Sequence, residues 1–402
     1  MLLWLLLVCI TAAGVKDLPK LDRSRIDTAE MVRMAHEGRA PRCTIDGYDS
    51  HAAIVSELSA LTAAYPDRAS YSVFGKSGRG QELPAVTIAP GAVLNASEPA
   101  ILMTAGIHGD ELVGVEMLRR LAADVLAPQS ASEWPAVNLV LVPLLNPDGR
   151  EYCRRTNSHY RDLNRCFPDR CAPQVVRCRA DTAPEVHALM NFANNLPITA
   201  SVGLHGGALT VSLPWDDSCE SHSRRIYAPH PEMGMHEALG AAYIDSYNGA
   251  ATGEVFDPTP VTNGADWYQL AGGLQGWALE TKHVSAAVTI EMSRTKAPAP
   301  EAIDAYWAAH RPALIRLLKE LARTVTVHVV DEHEQPLSGS LALVDADDND
   351  LTVQPFSGTI TRTLPAGTST LRVRAQNYVG ARIDVDMADE PKTVEVQLRR
   401  LQ

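Results

Sequence analysis

Three short stretches of this chain hold side chains that can do chemistry. The first is His108-Gly109-Asp110-Glu111, placed where the apolar run Ala100–Ala105 gives way to a helix-like pattern over Glu111–Val125. A His and a Glu three positions apart can turn the same way and offer a nitrogen and an oxygen to one metal ion. The second is the apolar run 198–204, which ends on His205 and is followed by Gly206 and Gly207. The third is Glu291, inside the apolar run Ala287–Met292. Two His and one carboxylate, with a fourth position left open, form the donor set of many catalytic zinc sites. A further carboxylate is what such chemistry needs to take a proton from water. Each feature alone also has a plainer reading. Glu111 suits the first turn of any helix, favoured by the helix dipole, and Glu291 could turn to solvent at a strand end.

Other chemistries lack their spacing. His36-Glu37, His236-Glu237 and His333-Glu334 each lack the second His of H-E-x-x-H. No G-x-S-x-G elbow and no C-x-x-C pair occurs. Gly75–Gly80 contains Gly-Lys-Ser without the spacing of a phosphate loop, and reads as a hairpin turn between strands at Ala69–Phe74 and Leu83–Ile88.

The elements that must position these groups alternate. Helical patterns are expected at Ala52–Ala64, Pro184–Asn195, His236–Tyr247 and Pro300–Ala322, and strands at Asn138–Leu145 and Ile198–Leu204. This alternation predicts an α/β fold, a mixed, mostly parallel twisted sheet flanked by helices. Ligands of such sheets gather at the carboxyl ends of strands, where His108 and His205 stand. From Arg323 the pattern changes. Thr324–Val330, Leu341–Val344, Leu371–Val373 and Val394–Leu398 alternate polar and apolar, with no helical stretch between them. They predict a small antiparallel all-β sandwich over 323–402.

The 402 residues suit two or three domains. The net charge is 36 − 48 = −12, which argues against a nucleic-acid partner, since that binding rests on a basic face. Residues 1–14 pair a nine-residue apolar run, Leu2–Ile10, with small residues, the form of a secretory signal peptide. Residues 15–46 form a polar N-terminal segment with a helical stretch at Thr28–His36. No later run approaches the roughly 20 apolar residues of a membrane span, and no hydrophobic tail ends the chain. The expectation is a secreted protein, extracellular or in the secretory lumen, without an integral membrane anchor. Of seven cysteines, Cys9 falls in the leader; the other six permit many pairings, and sequence does not choose among them. Asn95-Ala96-Ser97 is a glycosylation sequon.

Taken together, further stretches carry a resemblance. They are Gly106–Gly114, Asn146–Gly149, Arg155–Arg165, Cys166–Asp169, Leu204–Gly207, Asn263–Tyr268, Gly272–Gln275 and Thr289–Glu291, in that order. The region 47–322 resembles the zinc metallocarboxypeptidases, in particular the regulatory N/E-type branch that includes carboxypeptidases D, E, M and N. The terminal strands resemble the transthyretin-like domain that follows the catalytic domain in that branch. The resemblance implies one zinc ion per chain, held by His108, Glu111 and His205. It implies Glu291 as the catalytic base and Arg155 as the group facing the scissile carbonyl. Asn164 and Arg165 match the pair that holds a substrate's terminal carboxylate, and Tyr268 matches a tyrosine that closes over it. Asp216 falls at the base of the specificity pocket with Gln275 opposite. In that branch an acid and a Gln at these places accompany removal of Lys or Arg, and Pro214-Trp215 would line the aliphatic stem.

Three positions depart from the branch, one of them Asp110, where an Asn is commoner. Cys166 replaces an Asn, which staples the loop if the thiol is bonded and puts a free thiol near the pocket if not. Gly276 replaces an Asp. The resulting expectation is a monomeric, secreted zinc carboxypeptidase acting on peptide or protein C-termini. The rivals are a catalytically silent peptide-binding protein on the same scaffold and a related zinc amidohydrolase.

Overall fold

In a computed structural model, residues 47–94, 98–220 and 224–401 are described. The expected leader, the N-terminal segment 15–46 and the sequon at Asn95 lie outside the described residues.

The first described helix, α1 (His51–Ala64), begins at Ser50, whose Oγ accepts the Ala53 N–H at 3.2 Å. It buries Ile54, Leu58 and Thr62, four residues apart, on one face. Strands β1 (Ala69–Lys76) and β2 (Glu82–Ile88) pair antiparallel across the glycine-rich turn, as a hairpin. Then follow β3 (Ala100–Ala105), α2 (Val113–Leu126), β4 (Asn138–Val142) and the short α3 (Pro147–Glu151). The expected helix at 111 thus starts two residues later, and the expected strand 138–145 stops at Val142. Residues 143–145 instead lead into the capped helix, where the Asn146 side chain accepts the Gly149 N–H at 2.8 Å. A small ribbon, β5 (Pro168–Asp169) with β6 (Ala172–Val176), precedes α4 (Pro184–Asn194). The remainder runs β7 (Ile198–His205), β8 (Ala208–Leu213), α5 (Met233–Ser246), β9 (Val261–Asn263), α6 (Gly264–Trp267), α7 (Leu274–Glu280), β10 (Ala286–Ser293) and α8 (Ile303–Leu321).

These strands form one eight-stranded sheet in the order β1-β2-β4-β3-β7-β10-β8-β9. Its centre, β4, β3, β7 and β10, is parallel, while β1, β2 and β8 make the antiparallel pairings. The sheet is therefore mixed, as expected. β3 and β7 are buried at every position, because helices cover both faces. One face packs Leu118 and Leu121 of α2, Leu239 of α5 and Leu314 and Leu317 of α8. The other packs Val186 and Leu189 of α4, Trp277 of α7, and Phe167.

Seven further strands follow: β11 (Thr324–Val330), β12 (Ser338–Val344), β13 (Asp350–Ser357), β14 (Thr359–Thr363), β15 (Gly367–Ala375), β16 (Ala381–Met387) and β17 (Lys392–Gln397). Their order is β16-β15-β12-β13-β14-β11-β17. The expectation of purely antiparallel pairing needs correction, because β11 and β17 run parallel. β13 and β14 meet through one residue pair only, Ser357 with Thr359, which divides these strands into two halves. Both halves send side chains to one cluster, among them Val327, Leu341, Leu371 and Val396.

Candidate active site

Strand register brings the sequence-predicted residues together. β3 and β7 pair in parallel up to Ala105 with Leu204, and β7 pairs with β10 so that His205 stands opposite Glu291. His205 and Glu291 are thus neighbours by hydrogen-bonding register. His108 reaches the same place by a tight turn. Gly106 has φ +61, and a Cβ there would meet the Leu144 side chain at 2.7 Å. At Gly109 a Cβ would fall 2.1 Å from the Gly149 carbonyl carbon and 2.2 Å from the Arg150 nitrogen. Only glycine lets the backbone of this turn lie against the start of α3. Asn146 fastens the contact by donating from Nδ2 to the carbonyls of Ile107 and Arg155, both at 3.2 Å.

His108, Glu111 and His205 then converge, all three buried. His108 Nδ1 lies 3.0 Å from Glu111 Oε1, and His205 Nδ1 lies 3.0 Å from Glu111 Oε2. The two Nδ1 atoms are 3.2 Å apart. On the far side of the His108 ring, Nε2 is 3.2 Å from Asp162 Oδ1. That carboxylate accepts only, so Nε2 carries the proton and the Nδ1 lone pair faces the cluster. Burial alone would push Glu111 up, but its contacts with both His hold it well below the usual carboxylate range. Two imidazole nitrogens and one ionised carboxylate, with donor atoms all within 4.8 Å of one another, fit zinc in chemistry and in number.

Glu291 is 8% exposed and its Oε2 has no hydrogen-bond partner among the described residues. Burial pushes its carboxyl up to about 7, with Glu111 adding and His205, Arg155 and Lys296 opposing. A carboxyl poised there can take and return a proton near neutral pH.

The remaining predicted residues surround this centre. Arg155 donates Nε to Asp162 Oδ2 at 2.8 Å and Nη1 to Glu111 Oε1 at 3.3 Å. Asn164 receives Leu274 N–H on its Oδ1 at 2.9 Å, which leaves its amide NH2 as the donor. Arg165 is partly exposed and lies 5.7 Å from the centre of the Tyr268 ring. One cleft is lined by Asn164, His205, Asp216, Tyr268 and Glu291. At its base Asp216, 9% exposed, accepts Gln275 Nε2 at 3.1 Å. No cationic side chain among the described residues forms an ion pair with it. Burial pushes Asp216 up to about 7, with Arg165 opposing and Asp217 adding.

Sequence reasoning left some participants without a role. Asp162 sits inside a quoted motif, yet it touches His108, Arg155 and the Asn164 N–H at once. Burial works against its charge, but His108, Arg155 and Arg165 hold it well below the usual range. Lys296 was also missed: its Nζ lies 2.9 Å from Asp110 Oδ2 and 3.3 Å from Glu111 Oε1. Its signal was only a lone Lys five residues beyond Glu291.

The departures also resolve. Cys166 is bonded to Cys178, and Cys171 to Cys219. The first bond staples the loop after Arg165. The second ties that loop to the segment carrying Asp216. At Gly276 a Cβ would meet nothing within 4 Å, so the missing Asp leaves open space beside the pocket.

Comparison with known proteins agrees with this geometry. The family model "Zinc carboxypeptidase" matches residues 54–313. The chain is 27% identical to mouse (Mus musculus) carboxypeptidase Z over 401 residues, covering 89% of this chain and 60% of that protein. It is 29% identical to Drosophila melanogaster carboxypeptidase D over 382 residues, covering 85% of this chain and 27% of that protein. Arabidopsis thaliana carboxypeptidase SOL1 is 33% identical over 269 residues, 63% of this chain and 52% of that protein. The chain therefore spans only part of the length of these relatives. Among solved structures, bovine thrombin-activatable fibrinolysis inhibitor in complex with tick carboxypeptidase inhibitor aligns with a TM-score of 0.55 at 18% identity, over 67% of this chain and 96% of that one. Carboxypeptidase A from Helicoverpa armigera aligns with a TM-score of 0.54 at 15% identity, over 73% and 81%. These two likenesses speak to the fold alone. With the family model matching well over half of the residues, and with its donor set and sheet in place, this chain belongs to the zinc carboxypeptidase family.

Proposed function

We propose that this chain is a secreted, zinc-dependent carboxypeptidase that removes single C-terminal residues, Lys or Arg, from peptides and proteins. The observation that carries the reading is one cleft lined both by His205 and Glu291 and by the buried carboxylate of Asp216, which has no ion-pair partner among the described residues. We assign His108, Glu111 and His205 as the ligands of one zinc ion. Zinc, when bound, supplies Lewis acidity, polarising the peptide carbonyl and making water a better nucleophile near neutral pH.

The chain's own residues do the rest. Asn164 and Arg165 bind the terminal carboxylate, Arg165 through its planar fork. Tyr268 closes over the bound residue and excludes water. Glu291 accepts a proton from the attacking water and returns it to the leaving amine. Arg155, fixed by Asp162, faces the oxygen on which charge develops. Asp216, oriented by Gln275, receives the substrate's terminal cation. An apolar side chain there would leave a buried carboxylate unpaired, at a cost of about 1–3 kcal/mol.

Residues 47–322 act as the catalytic domain, and 323–402 as a transthyretin-like domain. The leader-like first 14 residues and the bonded cysteines support secretion. Among the described residues, no helix is long and apolar enough to cross a membrane. The working form is a monomer, and Asn95 is a candidate for glycosylation.

Asp216 supplies a test with a sign. Its carboxyl is neutral below about pH 7 and ionised above it, so attraction for a cation grows as pH rises. For peptides differing only in a final Arg or Leu, the ratio of kcat/KM should rise through about pH 7, because kcat/KM reports the free enzyme. Asp216→Ala should flatten that rise and lower the ratio by about tenfold or more, as loss of an ion pair of roughly 1.4 kcal/mol would. A wild type that prefers Leu, or an Asp216→Ala that keeps the Arg preference, refutes the assignment.

A further inference from the structure

At the seam between the α/β unit and the β-unit, Trp215, His230 and Glu232 line one cleft with Leu351 and Thr352 of β13. Arg362, on β14, is 1% exposed and reaches across to Glu232, 4% exposed. Its Nη2 donates to both Glu232 oxygens at 2.6 Å. Its Nε and Nη1 have no hydrogen-bond partner among the described residues, so its pairing is concentrated on this one carboxylate. Thr352 of β13 bonds the same carboxylate. A buried pair of this kind adds little net stability, because desolvation offsets the attraction. What such a pair does supply is a fixed position.

The contacts continue inward. The Glu232 N–H donates to His230 Nδ1 at 3.0 Å. The His230 ring lies 4.7 Å from the Trp215 ring, centre to centre, and the His230 backbone N–H donates to the Pro214 carbonyl at 3.3 Å. Trp215 is the residue before Asp216. The backbone is fixed as well: the Asp216 carbonyl accepts the Leu270 N–H at 2.7 Å, and Trp215 bonds to the Ala228 carbonyl at 2.9 Å and the Ala265 N–H at 2.8 Å, which leaves the Trp215 ring as the part set by His230. The Glu232 carbonyl receives His236 Nδ1 at 3.1 Å, and His236 Nε2 accepts the Ala287 N–H of β10 at 3.3 Å. The His230 and His236 rings meet edge to face, 4.7 Å between centres with 64° between their planes. Arg362, Glu232, His230 and Trp215 are all buried, and Trp215, His230 and Glu232 line one side of a cleft at the seam, so their contacts with one another fix their positions.

The geometry points to the β-unit as the positioning element of the specificity pocket: Arg362, through Glu232 and His230, holds Trp215 and so sets where the Asp216 carboxylate meets the substrate's final side chain. His230 and Arg362 are thus positioning residues, remote from the reacting atoms. The inference rests on the proposed preference for basic residues and deepens it.

The test uses the full-length, zinc-loaded protein and two peptides differing only in a final Arg or Leu. His230→Asn keeps an acceptor for the Glu232 N–H but removes the ring that packs on Trp215. It should raise KM for the Arg peptide about tenfold, the scale of a misplaced binding group, with kcat changed less than about twofold. Kinetics for the Leu peptide should stay within about twofold of wild type. Arg362→Lys, which keeps the charge but loses the fork, should move the Arg/Leu ratio the same way by a smaller factor. If both variants keep the wild-type ratio, or lose activity equally on both peptides with a lower Tm, the seam is merely structural and the inference is overturned. A wild type with no Arg preference overturns the underlying reading instead, and shows itself before any variant is made.

Discussion

Glu291→Ala should lower kcat by about 100-fold or more, the low end for a lost general base, while zinc content and substrate binding should persist. The side chain stands beside His205 by strand register but is not one of the three converging donors, so its removal spares the metal group. Folding should also survive. Its Oε2 makes no hydrogen bond among the described residues, so truncation orphans no partner there. Burial raises its pKa to about 7. In the metal-free protein, a raised carboxyl pKa means the folded state holds its proton longer than the unfolded chain does. That group therefore destabilises the fold as pH climbs from about 4 through 7. The metal-free variant's Tm at pH 8 should be no lower than wild type. Turnover by steady-state kinetics and zinc by elemental analysis check the prediction. Wild-type turnover in Glu291→Ala would mean another group moves the proton.

Metal removal carries the other large effect. Chelation with 1,10-phenanthroline should abolish turnover, and added zinc should restore it. His205→Ala should lose zinc and activity together, because it removes one of three donors and unpairs Glu111 Oε2 from its closest partner. The Tm should fall on chelation as well. A ligand that binds only the folded state stabilises it by about 2.7 kcal/mol at one hundred times its Kd. Full activity in protein shown by elemental analysis to be metal-free would refute the ligand assignment.

Much of this site was legible before the fold was known, for a physical reason. His205 ends an apolar strand and His108 follows one by a short turn, each beside a glycine, and strand ends of an α/β sheet are where ligands gather. Glu291 stood out as a carboxylate in an apolar run. What the sequence hid was pairing at long range. Asp162 looked like one acid among many, and only folding places it against a His 54 residues away. The Glu232–Arg362 pair joins positions 130 residues apart, so no local pattern announces it. β8 was legible, since Leu209, Thr210, Val211, Ser212 and Leu213 alternate apolar and polar, whereas β9 spans three residues, too few to show a period. The parallel β11–β17 pairing escaped because periodicity reports which face is buried, not strand direction. The role of Asp216 came from family resemblance alone. Its setting depends on how the chain passes through Pro214 and Trp215, and on a disulfide between Cys171 and Cys219 that spacing could not select.

The central claim is that this chain trims peptides from a free C-terminus by means of the His108–Glu111–His205 group and Glu291. Mass spectrometry of a peptide set tests it most directly. Each peptide ends in Arg, Lys, Leu or Phe, as the free acid and as the amide, and is incubated with zinc-loaded protein with and without chelator. The free acids ending in Arg or Lys should lose one residue. The amides should change little, since Arg165 then has no carboxylate to bind, and no peptide should change in the presence of chelator. Cleavage of the amides at the rate of the free acids, release of internal fragments, or no cleavage by protein that retains its zinc would contradict the central claim.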